Sequence, residues 1–286
     1  MPLVSSGSLV EAAVGQKTAV LAFNAITLEH AEAIVDAAQI TRTALIIQIS
    51  HNAVRFHGGD MGPLARAVAT LATGSSVDIA LHLDHVEETS MVALASSHGF
   101  SSVMFDAARF AYDVNVSQTV AARQLAHESG LWIEAELGYV GGKPNAPASA
   151  HQAGVRTDPD EAADFVLATG VDALAIAVGT SHAMSTRTAQ LDHSLIERIA
   201  RRVTVPLVLH GSSGVSADQL RAAIGAGISK INIGTALNQS FTTAVRDALA
   251  DPAVVDPRRY LAEGRRAITE YIVALVGDVL TNSKGG

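Results

Sequence analysis

Eight short aliphatic segments, separated by stretches with helical spacing, constrain the fold of this 286-residue chain more than any other feature. Each segment is rich in Val, Ile or Leu and ends near a polar or glycine-containing turn, which is typical of buried parallel strands. The predicted strands are residues 19–26, 43–50, 77–84, 102–106, 132–137, 173–178, 206–211 and 230–235.

The stretches between these segments carry apolar residues at the spacing of amphipathic helices. One of them opens with Thr157-Asp158-Pro159, which puts a capping side chain directly before a proline in the first turn. Gly170 stands where that helix should stop. The predicted helices are residues 28–41, 63–73, 88–98, 114–129, 159–168, 192–202 and 216–226, and a further helical segment covers 257–279.

This repeated strand–helix order predicts an α/β protein with one (β/α)8 barrel over residues 1–286 and an extra C-terminal helical segment. An open, doubly wound sheet is the alternative. The C-terminal segment is interpreted as a capping or subunit-contact helix. An aliphatic core suits this fold, because 48% of the residues are hydrophobic and only 4% are aromatic.

Charge and cysteine content narrow the class of protein. The net charge of −8 argues against a nucleic-acid partner, since such proteins are usually basic. The chain has no cysteine, so neither a disulfide nor a thiolate ligand is available. No signal peptide or membrane-length apolar stretch is visible, and we expect a cytoplasmic protein that does not bind a membrane.

Polar residues gather at the carboxyl ends of the predicted strands. In an α/β barrel these ends form one rim, where catalytic residues are placed, and buried charges are costly unless they are paired or bound to metal. The residues concerned are Asp84, His85, Asp106, Glu134, Glu136, His182, His210 and Asn232.

Three of these residues are histidines that follow strands three, six and seven. Neutral imidazoles suit Zn²⁺, and a catalytic zinc keeps three protein ligands and one open position. His85, His182 and His210 are therefore a candidate zinc site, although each alone could be structural. His82 is expected to point into the barrel and support its neighbours. The other histidines, His30 among them, are expected to be solvated or loop residues.

Two glycine-containing segments follow the last two strands. The loops after strands seven and eight of a barrel frequently bind phosphate, and glycine lets the backbone approach a ligand closely. Tight turns without function are the alternative. The segments are His210-Gly211-Ser212-Ser213-Gly214 and Asn232-Ile233-Gly234-Thr235.

With these residues in place, nearly the whole chain resembles the class II ketose-bisphosphate aldolases. The similarity runs from near Leu9 to about Leu275. The Asp-His, Gly-Thr-x-His and His-Gly-x-Ser-Gly elements occur in this order at strand ends, which makes the resemblance specific. The matching motifs are Phe23-Asn24, Leu81-His82-Leu83-Asp84-His85, Ser102-Val103-Met104-Phe105-Asp106, Glu134-Ala135-Glu136-Leu137-Gly138, Val178-Gly179-Thr180-Ser181-His182, Leu209-His210-Gly211-Ser212-Ser213-Gly214 and Lys230-Ile231-Asn232-Ile233-Gly234-Thr235.

The resemblance implies a zinc-dependent aldolase that reversibly cleaves a phosphorylated ketose to dihydroxyacetone phosphate and an aldehyde. It implies His85, His182 and His210 as zinc ligands, and a carboxylate pair, Asp106 and Glu136, close to the metal. It implies Asp84 as the acid/base for the hydroxyl proton. Substrate and phosphate contacts are implied for Asn24, Ser50, Gly211, Ser212, Ser213, Asn232, Ile233, Gly234 and Thr235. A monovalent cation at the phosphate site and a homodimer or homotetramer are also implied.

The chain departs from the family pattern after strand five. The family's mobile loop usually carries one or two acids after Gly-Gly, whereas here Gly141-Gly142 precedes Lys143-Pro144-Asn145, and no acid occurs before Asp158. This departure leaves open a second hypothesis, a non-catalytic or altered-substrate zinc and phosphosugar binder. A metal-dependent barrel hydrolase is a third hypothesis, but strand one lacks the usual His-x-His pair.

Overall fold

Eight parallel strands close into one barrel in a computed structural model that describes residues 3–138, 140, 156–182, 184 and 186–280. Each strand pairs with its neighbours in chain order, and β8 pairs with β1. The predicted barrel is therefore confirmed, and the open sheet is excluded. The strands are β1 (Val20–Asn24), β2 (Leu45–Ser50), β3 (Ile79–Val86), β4 (Ser102–Phe105), β5 (Trp132–Leu137), β6 (Ala173–Ile176), β7 (Leu207–Leu209) and β8 (Ile228–Ile233).

Helices surround the barrel, and three of them were not predicted. These are α1, α3 and α10; α3 covers fewer than two turns, whereas α10 carries Leu237, Phe241 and Ala244 at helical spacing, a pattern that the sequence analysis overlooked. The helices in the described residues are α1 (Ser6–Gly15), α2 (Leu28–Thr41), α3 (His51–Phe56), α4 (Gly62–Gly74), α5 (Thr89–Ala95), α6 (Tyr112–Glu128), α7 (Pro159–Thr169), α8 (His193–Ala200), α9 (Ala217–Ala226), α10 (Thr235–Ala248) and α11 (Pro257–Leu280).

The ends of α7 show why the boundary prediction succeeded. Asp158 accepts hydrogen bonds from the backbone N–H groups of Asp160 and Glu161, and Pro159 occupies the first turn. Gly170 ends the helix in the left-handed conformation, with φ of 65°, which glycine adopts without steric cost. Local chemistry therefore fixes both ends of this helix.

The interior of the barrel combines small aliphatic residues with a few buried polar ones. Ala22 and Ala80 pack with Val10 of α1, so that this helix covers the amino end of the barrel. A side chain at Gly7 of α1 would come within 2.8 Å of Trp132, the only tryptophan. The small side chains leave room for long polar ones, and Gln48, His82, Glu134 and Lys230 are fully buried.

The C-terminal helix packs on the outside of the barrel, against α2 and α10. Arg265 forms ion pairs with Glu32 and Asp36 of α2, and the Thr269 hydroxyl donates to the carbonyl of Ala33. No helix in the described part of the chain is long and apolar enough to cross a membrane.

Candidate metal centre and active site

A bulge at the end of β3 brings two adjacent side chains to the same cavity. Successive residues of a regular strand face opposite sides. Here the β3–β4 register shifts between Leu83 and Val86, and His85 has a φ of 50°, which is uncommon for a residue other than glycine. Asp84 and His85 consequently both line one cavity at the carboxyl end of the barrel.

His85 lies in a compact cluster with two other histidines and a carboxylate. One ligand atom from each of His85, Glu136, His182 and His210 lies within 4.8 Å of the others. The ring centroids of His85 and His210 are 4.8 Å apart, and those of His85 and His182 are 5.0 Å apart. Three imidazoles and one carboxylate form a donor set that fits a divalent transition-metal ion such as Zn²⁺.

Carboxylates behind this cluster fix the orientation of two of the imidazoles. Asp106 Oδ2 lies 2.8 Å from Nδ1 of His85, and Glu134 Oε1 lies 2.6 Å from Nε2 of His210. A nitrogen that donates to a carboxylate leaves the lone pair on the other ring nitrogen. Nε2 of His85 and Nδ1 of His210 are therefore the nitrogens available to a metal.

A buried lysine lies behind one of these carboxylates, Glu134. Lys230 Nζ donates to Glu134 Oε2 at 2.8 Å, and both side chains are fully buried. Burial alone would raise the pKa of Glu134, but Lys230 and His210 hold it well below its usual range. Burial would lower the pKa of His210, but hydrogen bonds to Glu134 and Glu136 raise it to about 9. A metal cation bound to Nδ1 of His210 would replace the proton that the raised pKa keeps on the ring.

Asp84 is a charged carboxylate held by amides. Its Oδ2 accepts a hydrogen bond from Asn24 Nδ2 at 2.8 Å, and Gln48 donates to Asn24 Oδ1 at 3.1 Å. Burial would raise the pKa of Asp84, but the cationic groups around it, His85 first, lower it to about 2. Its Oδ1 is buried and has no hydrogen-bond partner among the described residues. Asp84 is thus ionised and has one oxygen free to accept a proton.

Most of the predicted substrate residues line one cavity, which has a volume of about 280 Å³. Ser50 accepts from the Ala53 N–H at the start of α3, and Ser213 accepts from the Ala236 N–H at the start of α10. Asn232 is 6% exposed, and its side-chain nitrogen and oxygen are buried without a partner among the described residues. The predicted residues in the lining are Asn24, Ser50, Asp84, His85, His182, Gly211, Ser213, Asn232, Gly234 and Thr235.

Glycine allows close backbone approach at two of these positions. Gly211 has a φ of 67°, and a Cβ there would come within 2.8 Å of the Ser181 carbonyl oxygen. A Cβ on Gly234 would come within 3.0 Å of Asn24 Oδ1. Backbone N–H groups near a helix start and flanking hydroxyls make this end of the cavity suited to an anion.

Besides His210 and Glu136 of the buried metal cluster, three predicted residues lie apart from the cavity lining. The Ser212 hydroxyl donates to the Leu209 carbonyl, and Ile233 is buried in the core outside the barrel. Asp106 lies behind His85 and also accepts from the Ala108 N–H, so both of its oxygens are used. Residues 141–155, with Lys143-Pro144-Asn145, lie outside the described part of the chain.

The structure also adds residues that the sequence analysis missed. Ile26, Asn52 and Asn238 line the cavity. Asn238 stands on α10, which the sequence analysis did not identify as a helix despite its apolar residues at helical spacing. His30, expected to be solvated, is 4% exposed, because α2 packs its His30 face inward.

A histidine and carboxylate cluster at the carboxyl rim of a closed barrel, next to an anion-binding end, is typical of a metal-dependent barrel enzyme. The model of the family "Fructose-bisphosphate aldolase class-II" matches residues 4–285. A fructose-bisphosphate aldolase from Geobacillus stearothermophilus is 35% identical and covers 99% of each chain. One from Thermus caldophilus is 34% identical and covers 94% of this chain and 95% of that one.

Solved structures agree with these matches. The YdjI aldolase from Escherichia coli K12 has a TM-score of 0.82 and 29% identity, over 99% of this chain and 100% of that one. The chain therefore belongs to the class II fructose-bisphosphate aldolase family. It is an aldolase, a lyase of carbon–carbon bonds, and its family is generally metal-dependent.

Proposed function

We propose that this protein is a zinc-dependent aldolase that reversibly cleaves a phosphorylated ketose to dihydroxyacetone phosphate and an aldehyde. The supporting observation is the cluster of His85, His182, His210 and Glu136 beside the ionised Asp84. A ketose 1,6-bisphosphate is the first candidate substrate, because relatives over the whole chain carry the name fructose-bisphosphate aldolase.

The three histidines would hold the metal. Zn²⁺ fits them because it prefers imidazole nitrogen and tolerates a fourth, exchangeable position. Glu136 lies within the same cluster and would provide a carboxylate ligand, and Asp106 would act through His85. When bound, the metal supplies Lewis-acid polarisation of the substrate carbonyl.

Asp84 would be the catalytic base in the cleavage direction. Its Oδ1 would accept the hydroxyl proton from one of the two carbons of the breaking bond, and that carbon becomes the aldehyde. The bonding electron pair goes to the other carbon, which takes up a proton to give dihydroxyacetone phosphate. In the synthetic direction the same oxygen returns the proton. Asn24 holds Oδ2 throughout, so the carboxylate keeps its orientation as its charge changes.

The phosphate would bind where β7 and β8 end. Backbone N–H groups near Gly211, Gly234 and Thr235 can donate to phosphate oxygens, and Asn232 brings an amide that has no partner among the described residues. The side chains of Ser212 and Ile233 point elsewhere, so those two residues would contribute only through the backbone. A monovalent cation would lower the charge of the phosphate here.

Further parts of the proposal concern organisation. We assign residues 1–286 to a single domain, and we expect a homodimer or homotetramer in solution. Chromatography with light scattering measures the oligomeric state directly.

His210→Ala tests the proposal. The protein is stripped with a chelator and reloaded with Zn²⁺, and cleavage of fructose and tagatose 1,6-bisphosphates is measured beside the zinc content. We expect the variant to lose both zinc and turnover, while His127→Ala, at an exposed position, keeps both. Full turnover by His210→Ala would contradict the proposal. Tight sugar phosphate binding by the zinc-loaded wild type, with no turnover, would favour the non-catalytic alternative that the Lys143 segment suggests.

A further inference from the structure

Asn238 lines the cavity although neither the motifs nor the proposed mechanism uses it. It lies one turn into α10, three residues after Thr235. Helical side chains lean towards the amino end of their helix. The Asn238 amide therefore extends back along the first turn of α10, towards the Gly234 and Thr235 end of the cavity.

His30 holds this amide in one orientation. Its Nε2 lies 3.2 Å from Asn238 Oδ1, and its Nδ1 lies 3.1 Å from the Thr27 hydroxyl. The imidazole also stacks on the phenyl ring of Phe241, with ring centroids 5.1 Å apart. Gly264 packs so closely against this phenyl ring that a Cβ on Gly264 would lie 2.5 Å from it. The position of the imidazole is thus fixed by two hydrogen bonds and a packed ring.

The tautomer of the neutral His30 ring decides which amide atom of Asn238 remains free. Burial lowers the pKa of His30, although the Asn238 hydrogen bond raises it in part, so the ring is neutral at neutral pH. With the carbonyl oxygen of Asn238 at Nε2, that nitrogen carries the proton and donates, and Nδ1 accepts from Thr27. Asn238 Nδ2 then has no partner among the described residues, and its two N–H bonds are available to a ligand.

The surroundings of Asn238 at the start of α10 favour an anionic partner. The Ala236 N–H already donates to Ser213, so the helix start alone offers few free donors. Asn232 is 6% exposed, and neither of its side-chain polar atoms has a partner in the described part of the chain, so it independently marks the same cavity as a ligand site. The amide N–H of Asn238 would form a stronger hydrogen bond with a charged phosphate oxygen than with an uncharged hydroxyl of the sugar.

We propose that Asn238 is a phosphate-binding residue of this site, with His30 and Thr27 as positioning residues that direct its Nδ2 group to a phosphate oxygen of the bound sugar. This inference rests on the proposed function, because it assigns a contact to the phosphorylated substrate.

Ligand titrations of Asn238→Ala test the inference. The zinc-loaded wild type and variant are titrated with dihydroxyacetone phosphate and, separately, with inorganic phosphate, and the Kd values are measured by ³¹P NMR. Loss of a hydrogen bond to a charged group should weaken both ligands by roughly 10- to 100-fold. Thr243→Ala, exposed on the same helix, is the matched control and should change neither Kd.

His30→Phe tests the positioning role. It keeps a ring against Phe241 but removes both hydrogen bonds, so both ligands should weaken in the same direction as with Asn238→Ala. Because the two residues act as one unit, the double variant should bind no more weakly than Asn238→Ala alone. A purely structural role of His30 would instead give additive losses, and that result would overturn its assignment.

The outcomes separate this inference from the proposed function. Unchanged Kd values for Asn238→Ala would overturn the inference and leave the aldolase proposal standing. A weaker Kd for dihydroxyacetone phosphate with an unchanged Kd for inorganic phosphate would also overturn it, because the contact would then be to the sugar. A wild type that does not bind dihydroxyacetone phosphate at all would overturn both.

Discussion

Replacing Glu134 by glutamine should separate its two roles, as a partner of His210 and as the counter-charge of Lys230. The glutamine keeps the shape of the side chain but loses its charge. Nε2 of His210 then loses a carboxylate at 2.6 Å, and Lys230 Nζ loses one at 2.8 Å, with both groups fully buried. Loss of such an outer partner typically weakens metal binding about 10- to 100-fold. Leaving one charge of a buried pair typically costs about 3–5 kcal/mol of folding free energy.

The double variant Glu134→Gln/Lys230→Met distinguishes the two effects. It removes the isolated charge, so the free energy of unfolding should return most of the way to the wild-type value, whereas the zinc affinity should stay low. Zinc affinity is measured by competition with a chromophoric chelator, and unfolding is followed in urea by the fluorescence of Trp132. Glu270→Gln, which breaks an exposed pair with Arg266, is the control and should change neither quantity. Wild-type zinc affinity in both Glu134 variants would refute the reasoning.

Three further substitutions give distinct expected results. Asp84→Asn should lower kcat by about 10²- to 10⁴-fold while zinc content stays unchanged, because only the proton acceptor is lost; wild-type kcat would exclude Asp84 as the base. His82→Gln should weaken the dependence of the free energy of unfolding on pH below pH 6.5. Burial lowers the pKa of His82 from 6.5 in the unfolded chain to about 3, so the unfolded state binds a proton that the folded state does not. The wild type therefore loses up to about 1.4 kcal/mol of stability per pH unit below pH 6.5, and its stability does not depend on this group above that pH. Urea unfolding at several pH values measures this, with exposed His127→Gln as control. Gly211→Ala should cost about 1–3 kcal/mol and weaken phosphate binding, since its φ is 67° and Ser181 is in the way, whereas Gly74→Ala, with open space around it, should be neutral; equal unfolding midpoints would contradict this.

The barrel was predictable because its signals are local. Each strand is a short aliphatic run, and α7 carries its own cap at Asp158 and its own stop at Gly170. The three clustered histidines were recognisable because they lie at or shortly after strand ends, which meet at one rim of the barrel. Family motifs then supplied the roles that spacing alone left open.

The remaining features depend on contacts between distant segments. The bulge that turns both Asp84 and His85 into the cavity is visible only in the β3–β4 register. The pairing of Lys230 with Glu134 joins residues 96 positions apart. Asn238 and His30 meet across 208 positions, so no local pattern could have placed that amide at the cavity, although the apolar spacing of α10 was sufficient to predict the helix itself.

The measurement that tests the central claim most directly is the exchange of the carbon-bound proton of dihydroxyacetone phosphate in heavy water, followed by ¹H NMR. The protein is tested zinc-loaded, after chelation and after zinc is restored, with His210→Ala as the matched variant. The aldolase account predicts exchange that depends on zinc, returns on reloading and is lost in the variant. The absence of exchange in wild-type protein with its zinc bound would contradict the account.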